Sequence, residues 1–247
     1  GRLAGPLGGG FGLLVTADGS DIVHLPTLPA TANSLQRTAR LSLDSTGTLR
    51  GEVKEVSTGD VAAIARLAAD SAAQSTDQIK PIESVLAQSF ATFTVRNAVI
   101  GNQRARDMPL EWTYDIEVPR FAEASGDIVT LRPRVLGSEA TGFLETREAR
   151  ENDIEFEGPS RNTDQFEITL PPGYVVDDLP PPLDIDNAYA AYHSRTEVVG
   201  RALRYTRSLE IKQITAPVSQ AEDLKQFFRS ILNDEGAVVV LRHTNGN

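Results

Sequence analysis

The strictest alternation in the chain runs from Leu110 to Val118. Leu110, Trp112, Tyr114, Ile116 and Val118 share one face, and Glu111, Thr113, Asp115 and Glu117 the other. A period of two held this long predicts a strand in a sheet with one wet face. Gln165–Leu170 repeats the pattern, with Phe166, Ile168 and Leu170 opposed to Gln165, Glu167 and Thr169, and Pro171-Pro172-Gly173 stops it in a turn. Leu35–Leu43 and Leu49–Val56 predict a hairpin closed by Asp44-Ser45-Thr46-Gly47, with Ala39, Leu41 and Leu43 on the apolar side. Shorter strands are predicted at Leu13–Thr16, Ile22–Leu25 and Ile128–Arg132. A weak one is expected through Phe93, Val95, Asn97 and Val99, and a short edge strand at Asn152–Glu157.

The hairpin at Ala188–Ile211 can be read to its register. Gly200-Arg201 suits a two-residue type II′ turn, whose first central position favours Gly. That turn pairs Val199 with Ala202, Val198 with Leu203, Glu197 with Arg204, Thr196 with Tyr205, Ser194 with Arg207 and Tyr192 with Leu209. The inner face then holds Tyr192, Val198, Leu203, Tyr205, Leu209 and Ile211. Glu197 and Arg204 form an outer pair, worth ~0.2–1 kcal/mol. Arg207 breaks the apolar face. A guanidinium there needs a carboxylate or the sheet's rim, and Asp177 or Asp178 are the expected partners.

Three stretches have a helical period. One is capped by Asp60 and runs through Ala72, with Val61, Ile64, Leu67 and Ala68 on one side. After a polar break at Gln74–Asp77, a second carries Ile79, Ile82, Val85, Leu86 and Phe90, with Pro81 in its first turn. A third opens with a capping box, Ser219-Gln220-Ala221-Glu222, and shows Leu224, Phe227, Phe228, Ile231 and Leu232. Gly236 ends it, and Ala237–Leu241 is expected as a strand buried on both faces. The fold class is therefore mainly β (α+β): antiparallel, β-sandwich-like sheets with about three helices. Residues 1–29 form a lead-in, 30–150 a β-rich domain with two helices, and 151–247 a smaller hairpin and helix domain, with Gly158-Pro159 near the boundary.

Composition sharpens this in two places. The net charge of −10 argues against a nucleic-acid or anionic-membrane partner, because an acidic surface gains nothing from counterion release. The chain has 0 cysteines, which removes disulfides, thiolate zinc sites and cysteine nucleophiles. The longest apolar runs are far too short for a bilayer, and Gly1 in place of an initiator Met reads as a fragment or mature piece.

No motif assigns a reaction. The glycines of Gly1–Gly12 lack the Gly-Lys-Ser/Thr ending of a phosphate loop and read as a flexible lead-in. His24, His193 and His243 fall in three separate elements, and His193 is expected to face water opposite Ser208. Asp177, Asp178, Asp184 and Asp186 crowd near Pro180–Pro182. An EF-hand loop counted from Asp184 would need Gly and Glu where Tyr189 and Arg195 stand, so these acids read as turn closers, with another oxygen-ligand ion site left open. Glu111, Asp115 and Glu117 lie along one strand face and read as solvated; glycoside hydrolysis needs a pair held across a cleft. Serine nucleophile motifs are missing. No catalytic, cofactor-binding or metal-binding residue is therefore assigned.

One stretch does resemble something known. Asp164–Val176, with its Leu170-Pro171-Pro172-Gly173-Tyr174 turn, is similar to the opening of a C-terminal β-rich module of unknown function. That module follows the transglutaminase-like domain of bacterial secreted or envelope proteins. Leu179-Pro180, the Leu203-x-Tyr205-x-Arg207 strand, Phe227-Phe228 and the closing Val239-Val240-Leu241 recur in the same order, and Phe11–Val15 through Leu25-Pro26 resembles the stretch leaving the catalytic domain. The family's Cys-His-Asp residues belong to that preceding domain, so the resemblance implies a non-catalytic chain with a periplasmic or extracellular location. It also implies a role as a scaffold that positions the adjacent catalytic domain or a partner protein. The alternative is a carbohydrate-binding or glycoside-hydrolase-type domain with an acidic cleft, marked by a deep polar pocket and a perturbed carboxylate pair. A third reading, a strand edge that accepts a peptide, needs a long unpaired edge.

Overall fold

Alternation places the long strands, while Glu123–Ser125, Tyr174–Asp178, Leu183–Asp186 and Thr215–Ala216 are strands that it did not predict. In chain order the strands are β1 (Phe11–Thr16), β2 (Gly19–His24), β3 (Ser34–Leu43), β4 (Leu49–Ser57), β5 (Thr94–Gly101), β6 (Leu110–Val118), β7 (Glu123–Ser125), β8 (Ile128–Leu131), β9 (Ile154–Glu155), β10 (Ser160–Thr169), β11 (Tyr174–Asp178), β12 (Leu183–Asp186), β13 (Ala190–Val199), β14 (Ala202–Ile211), β15 (Thr215–Ala216) and β16 (Val239–His243). The helices are α1 (Gly59–Ala73), α2 (Lys80–Ser89) and α3 (Ala221–Glu235). The computed structural model describes residues 8–73, 79–137 and 150–244, with the side chains of 72 and 73 left aside. The expected polar break at Gln74–Asp77, the first residues of the glycine-rich lead-in and most of the segment leading to Arg150 lie outside these residues.

The protein is mainly β, with mixed and antiparallel sheets. An eight-stranded sheet runs β12-β13-β14-β10-β3-β4-β6-β5, and a four-stranded antiparallel sheet runs β11-β16-β8-β7. All neighbours in the large sheet are antiparallel except β10 and β3. That parallel seam joins strands from either side of residue 150. One face of the large sheet is charged and wet. The other packs Leu41, Val53, Tyr114, Ile168 and Leu203 against Val129, Leu131, Val239 and Leu241 of the smaller sheet and Ala62, Ile82 and Leu86 of α1 and α2. Each fully buried aliphatic side chain here, such as Leu49, Ile168 or Leu203, contributes ~1.5–3 kcal/mol by leaving water. α3 covers the end of the same face, setting Phe227, Phe228 and Ile231 on Ala190, Tyr192 and Leu209.

The β13–β14 hairpin has the expected register at every pair, from Val199–Ala202 to Tyr192–Leu209. Gly200 has φ +62° and Arg201 is not in the left-handed region, which fits a type II′ turn. Four expectations are corrected. Val198 lies 46% exposed, because the hairpin tip extends beyond the packed face. In α1 the buried residues are Ala62, Arg66 and Ala69, while Ile64 and Leu67 are 63% and 68% exposed. Small side chains let the helix approach β3 closely, and Arg66 Nη2 donates to the carbonyls of Ala105 (3.2 Å) and Met108 (2.6 Å). The N-terminus of α1 is capped from a distance: Asn33 Oδ1 accepts from the Asp60 (3.0 Å) and Val61 (3.1 Å) amides, and Asp60 stands inside the first turn. The Ser219–Glu222 capping box does not form, since Val218–Gln220 make a 3-10 turn and Glu222 pairs with Lys225 at 2.7 Å.

Two strand expectations shift for local reasons. Asn97 adopts φ +52° at a bulge between Arg96 and Val99, so the alternation changes parity there: Val99 turns outward at 63% exposure and Ile100 turns in. At the C-terminal strand Val239 and Leu241 are buried while Val238 is 42% exposed, so β16 buries one face only. Along the wet face Glu197 pairs with Arg195 (2.9 Å) and Arg204 with Glu167 (3.6 Å). No helix among the described residues is long and apolar enough to cross a membrane.

Candidate functional site

The most unusual feature of the interior is a charged row across the middle of the large sheet. On β3, Arg37 has the parity of Ala39, Leu41 and Leu43. On β10, Asp164 has that of Phe166, Ile168 and Leu170. On β14, Arg207 has that of Leu203, Tyr205 and Leu209. The registers set Asp164 directly opposite both arginines, so three core-facing positions carry charge in adjacent strands. Arg37 donates from Nε to Asp164 Oδ1 (2.7 Å) and from Nη2 to Oδ2 (3.2 Å), and Arg207 Nη1 donates to Oδ2 at 2.6 Å. The Asp164 and Arg207 side chains are 0% exposed.

The row continues on both sides. Ser194 lies opposite Arg207, and Glu55 opposite Arg37. Tyr114 donates its hydroxyl to Glu55 Oε1 at 2.5 Å. Asp234 of α3 accepts from Tyr192 Oη (2.6 Å) and Ser194 Oγ (2.8 Å), which ties the helix to the sheet. The Arg207 guanidinium stands 5.8 Å from the Tyr192 ring centroid, a cation–π distance. Gly137 closes over Arg37 at φ +79°, and a Cβ there would lie 2.3 Å from Arg37 Nη2.

Burial pushes the Asp164 carboxyl up, but the charges and hydrogen bonds of Arg37 and Arg207 outweigh it and hold the group below its ordinary value. Burial pushes Arg37 down, and Asp164 outweighs that in turn, leaving it above its ordinary value. Tyr114 is raised by burial and then by Glu55, and Tyr192 by burial and then by Tyr205 and Asp234. Tyr205 is raised to about 12, again mainly by burial, with Arg134 and Arg207 opposing. An ionised Asp164 clamped by two guanidiniums, beside tyrosines that stay protonated, neither accepts nor releases a proton near neutrality. The arrangement joins three strands and orients a helix.

Arg207 is on the apolar face as expected, but its carboxylate is Asp164 and not Asp177 or Asp178. Asp177 takes Arg242 at 2.5 Å, and Asp178 accepts from the Leu179 amide at 3.0 Å. The neighbouring strand, β10, supplies the acid, and a carboxylate beyond the turn cannot compete with one directly across the ladder. Asp184 pairs with His193 at 2.9 Å, and Asp186 pairs with Lys212. The four aspartates thus take separate partners. No group of three or more metal-ligating side chains comes together among the described residues. Glu111 pairs with Lys54 (2.9 Å), Asp115 accepts from Asn97 (2.6 Å), and Glu117 meets Arg50 (3.3 Å), all on the wet face. His24 packs against Phe11 at a tilt in the first hairpin, and His243 meets Tyr174 edge to face. Arg37, Asp164 and Arg134 escape sequence reasoning. For the first two a signal exists: extending each strand's alternation one step further puts a charge on the core side.

A mainly β module, in which an eight-stranded and a four-stranded sheet pack around a buried ionic row, is the class of protein these observations define. Residues 127–241, just under half of the chain, are similar to the DUF3858 family, described as a domain of unknown function with a solved structure. This range contains Asp164, Arg207, α3 and the whole of Asp164–Leu241. A comparison with curated proteins finds no match. Among solved structures, the chain is similar to a "putative protease" of Parabacteroides distasonis at 13% identity and a TM-score of 0.40, covering 48% of this chain and 24% of that one. The chain therefore spans about a quarter of that protein's length.

Proposed function

We propose that this chain is a non-catalytic scaffold module that positions a neighbouring transglutaminase-like domain, or a partner protein, in the periplasm or outside the cell. One observation carries the reading: the carboxylate at the centre of the buried ionic row, Asp164, is already held by two guanidiniums, Arg37 and Arg207. A catalytic site needs a group left free to react, and the wet-face acids Glu111 and Glu117 are likewise matched to cations. The acidic-cleft reading draws no comparable support, because Glu111, Asp115 and Glu117 lie along one strand and not across a cleft.

The test joins this chain to its expected neighbour. The parent reading frame should encode a transglutaminase-like domain with Cys, His and Asp, and the two parts in one polypeptide should protect each other from hydrogen exchange along a shared surface. Independent melting with identical exchange in the joined and separate forms would overturn the proposal.

A further inference from the structure

The β1–β2 hairpin carries an apolar face that no other described residue covers. None of the residues of its two strands is buried, and only Gly12 and Val23 are half-buried. The register sets Leu13 opposite Ile22, Phe11 opposite His24 and Val15 opposite Ser20. Residues directly across a ladder share a face, so Phe11, Leu13, Val15 and Ile22 form one apolar stripe, each of them 66% to 76% exposed. Gly12, Leu14, Asp21 and Val23 lie on the reverse face, and Asp18 lies in the turn. The stripe therefore contains no Asp, Glu, Lys or Arg, although the chain as a whole has a net charge of −10.

The hairpin is fixed at its base and bare beyond it. The Gly9 amide donates to the Leu25 carbonyl (3.1 Å) and the Leu25 amide to the Gly10 carbonyl (2.8 Å). Gly9, at φ +73°, lies so close to Ile214 that a Cβ has no room there, which seats the base on the loop after β14. Beyond it β1 and β2 make a two-stranded sheet of their own, with no third strand beside either among the described residues. Such a hairpin is marginal in water by itself, and its edges present unpaired backbone groups. The stripe amounts to roughly 500 Å² of apolar surface, a size that on a monomer commonly marks an interaction site.

We infer that this stripe is the face on which the chain holds the neighbouring domain of the same polypeptide, through a matching uncharged, apolar surface. The inference rests on the scaffold reading above and adds the surface that does the positioning. Area and tether choose this occupant. Two apposed faces of this size bury about 1,000 Å², below the ~1,200–2,000 Å² of stable complexes between free partners but within the ~600–1,500 Å² of domains in one chain. The hairpin is the first described element, and at ~3.6 Å per residue Gly1–Gly10 hold a domain joined at Gly1 within ~36 Å of Phe11. A tether that short gives an effective concentration of order mM, at which a contact too small for a free dimer stays closed. A charged partner surface is excluded, because its charges would lose water against Phe11 and Ile22 and gain no counter-charge.

The experiment compares hydrogen exchange in this chain alone and in the same chain joined to its native N-terminal neighbour. The amides of Leu13–Val15 and Asp21–Val23 should exchange about tenfold or more slowly in the joined form. Leu13→Thr together with Ile22→Thr keeps strand-forming residues but removes half of the stripe, and should return those amides to the rates of the separate chain. Leu14→Thr, on the reverse face, should leave the protection in place. The melting temperature of the separate chain should not change in the double variant, since both side chains already stand in water there. Protection at other surfaces, with the hairpin exchanging alike in both forms, overturns this inference and leaves the scaffold reading standing; no mutual protection anywhere overturns both. Protection that survives the double variant also overturns it. So does concentration-dependent slowing in the separate chain, which would assign the stripe to a second copy.

Discussion

Asp164→Asn tests the ionic row with the smallest possible change. Shape is kept, but the charge that two buried guanidiniums share is gone. The three bonds at 2.6–3.2 Å become at most two, from charged donors to an uncharged amide oxygen, and the new amide N–H₂ points donors at donors. Removing one partner from a buried ion pair costs ~3–5 kcal/mol, because the remaining charge stays desolvated. At roughly 2–4 °C per kcal/mol for a chain of this size, the melting temperature should fall by about 6–20 °C. Thermal unfolding followed by circular dichroism measures the shift, and urea unfolding followed by tryptophan fluorescence the free energy, Trp112 being the single tryptophan. A linked effect gives a second readout. Asp164 titrates below its unfolded value, so its stabilisation is present above about pH 3.9 and is lost as pH falls through the folded value. The asparagine variant lacks that component, and its acid limb should be flatter than the wild type's. The triple change Arg37→Met, Asp164→Leu, Arg207→Met should recover most of the loss, since an apolar set avoids the desolvation cost. A destabilisation by Asp164→Asn under about 0.5 kcal/mol, with an unaltered acid limb, would refute the reasoning.

Alkali should act on the buried tyrosines. Tyr114, Tyr192 and Tyr205 are raised, Tyr205 to about 12, so stability is full below the unfolded value near ~10 and falls as pH rises toward the folded values, which a pH-jump unfolding series would detect. Gly51→Ala in β4 should cost at least ~2 kcal/mol in urea unfolding, because Gly51 has φ +152° and a Cβ would lie 2.1 Å from the Arg40 carbonyl oxygen. Asn33→Ala should cost ~0.5–2 kcal/mol and raise hydrogen exchange in the first turn of α1, whose amides Asn33 caps from outside the helix.

Parity explains how much was legible beforehand. The β13–β14 register follows from Gly200 and a two-residue turn, because a tight hairpin has only one way to continue outward. Arg207 stood out as a charge on an apolar face for the same reason. Its partner did not, because Asp164 reaches it through strand neighbourhood, and Arg37 lies 127 residues from Asp164 along the chain. The helices show the limit from the other side. The period of α1 was visible, but it pointed to the Val61, Ile64, Leu67 and Ala68 face, and the structure buries Ala62, Arg66 and Ala69 instead. The close approach to β3 chose the alanines. Arg134 gave no sign at all, since its surroundings draw residues from four separate segments.

By itself the sequence determined the mainly β class, the faces of the long strands and the pairing within local hairpins, all of which depend on side-chain period and turn chemistry over short range. Only the tertiary structure decided that β10 slots between β14 and β3 in parallel with the latter, and so which charges meet in the interior. Non-local strand order is fixed by the joint packing of both sheets and three helices, a condition on the whole chain that no window of residues contains.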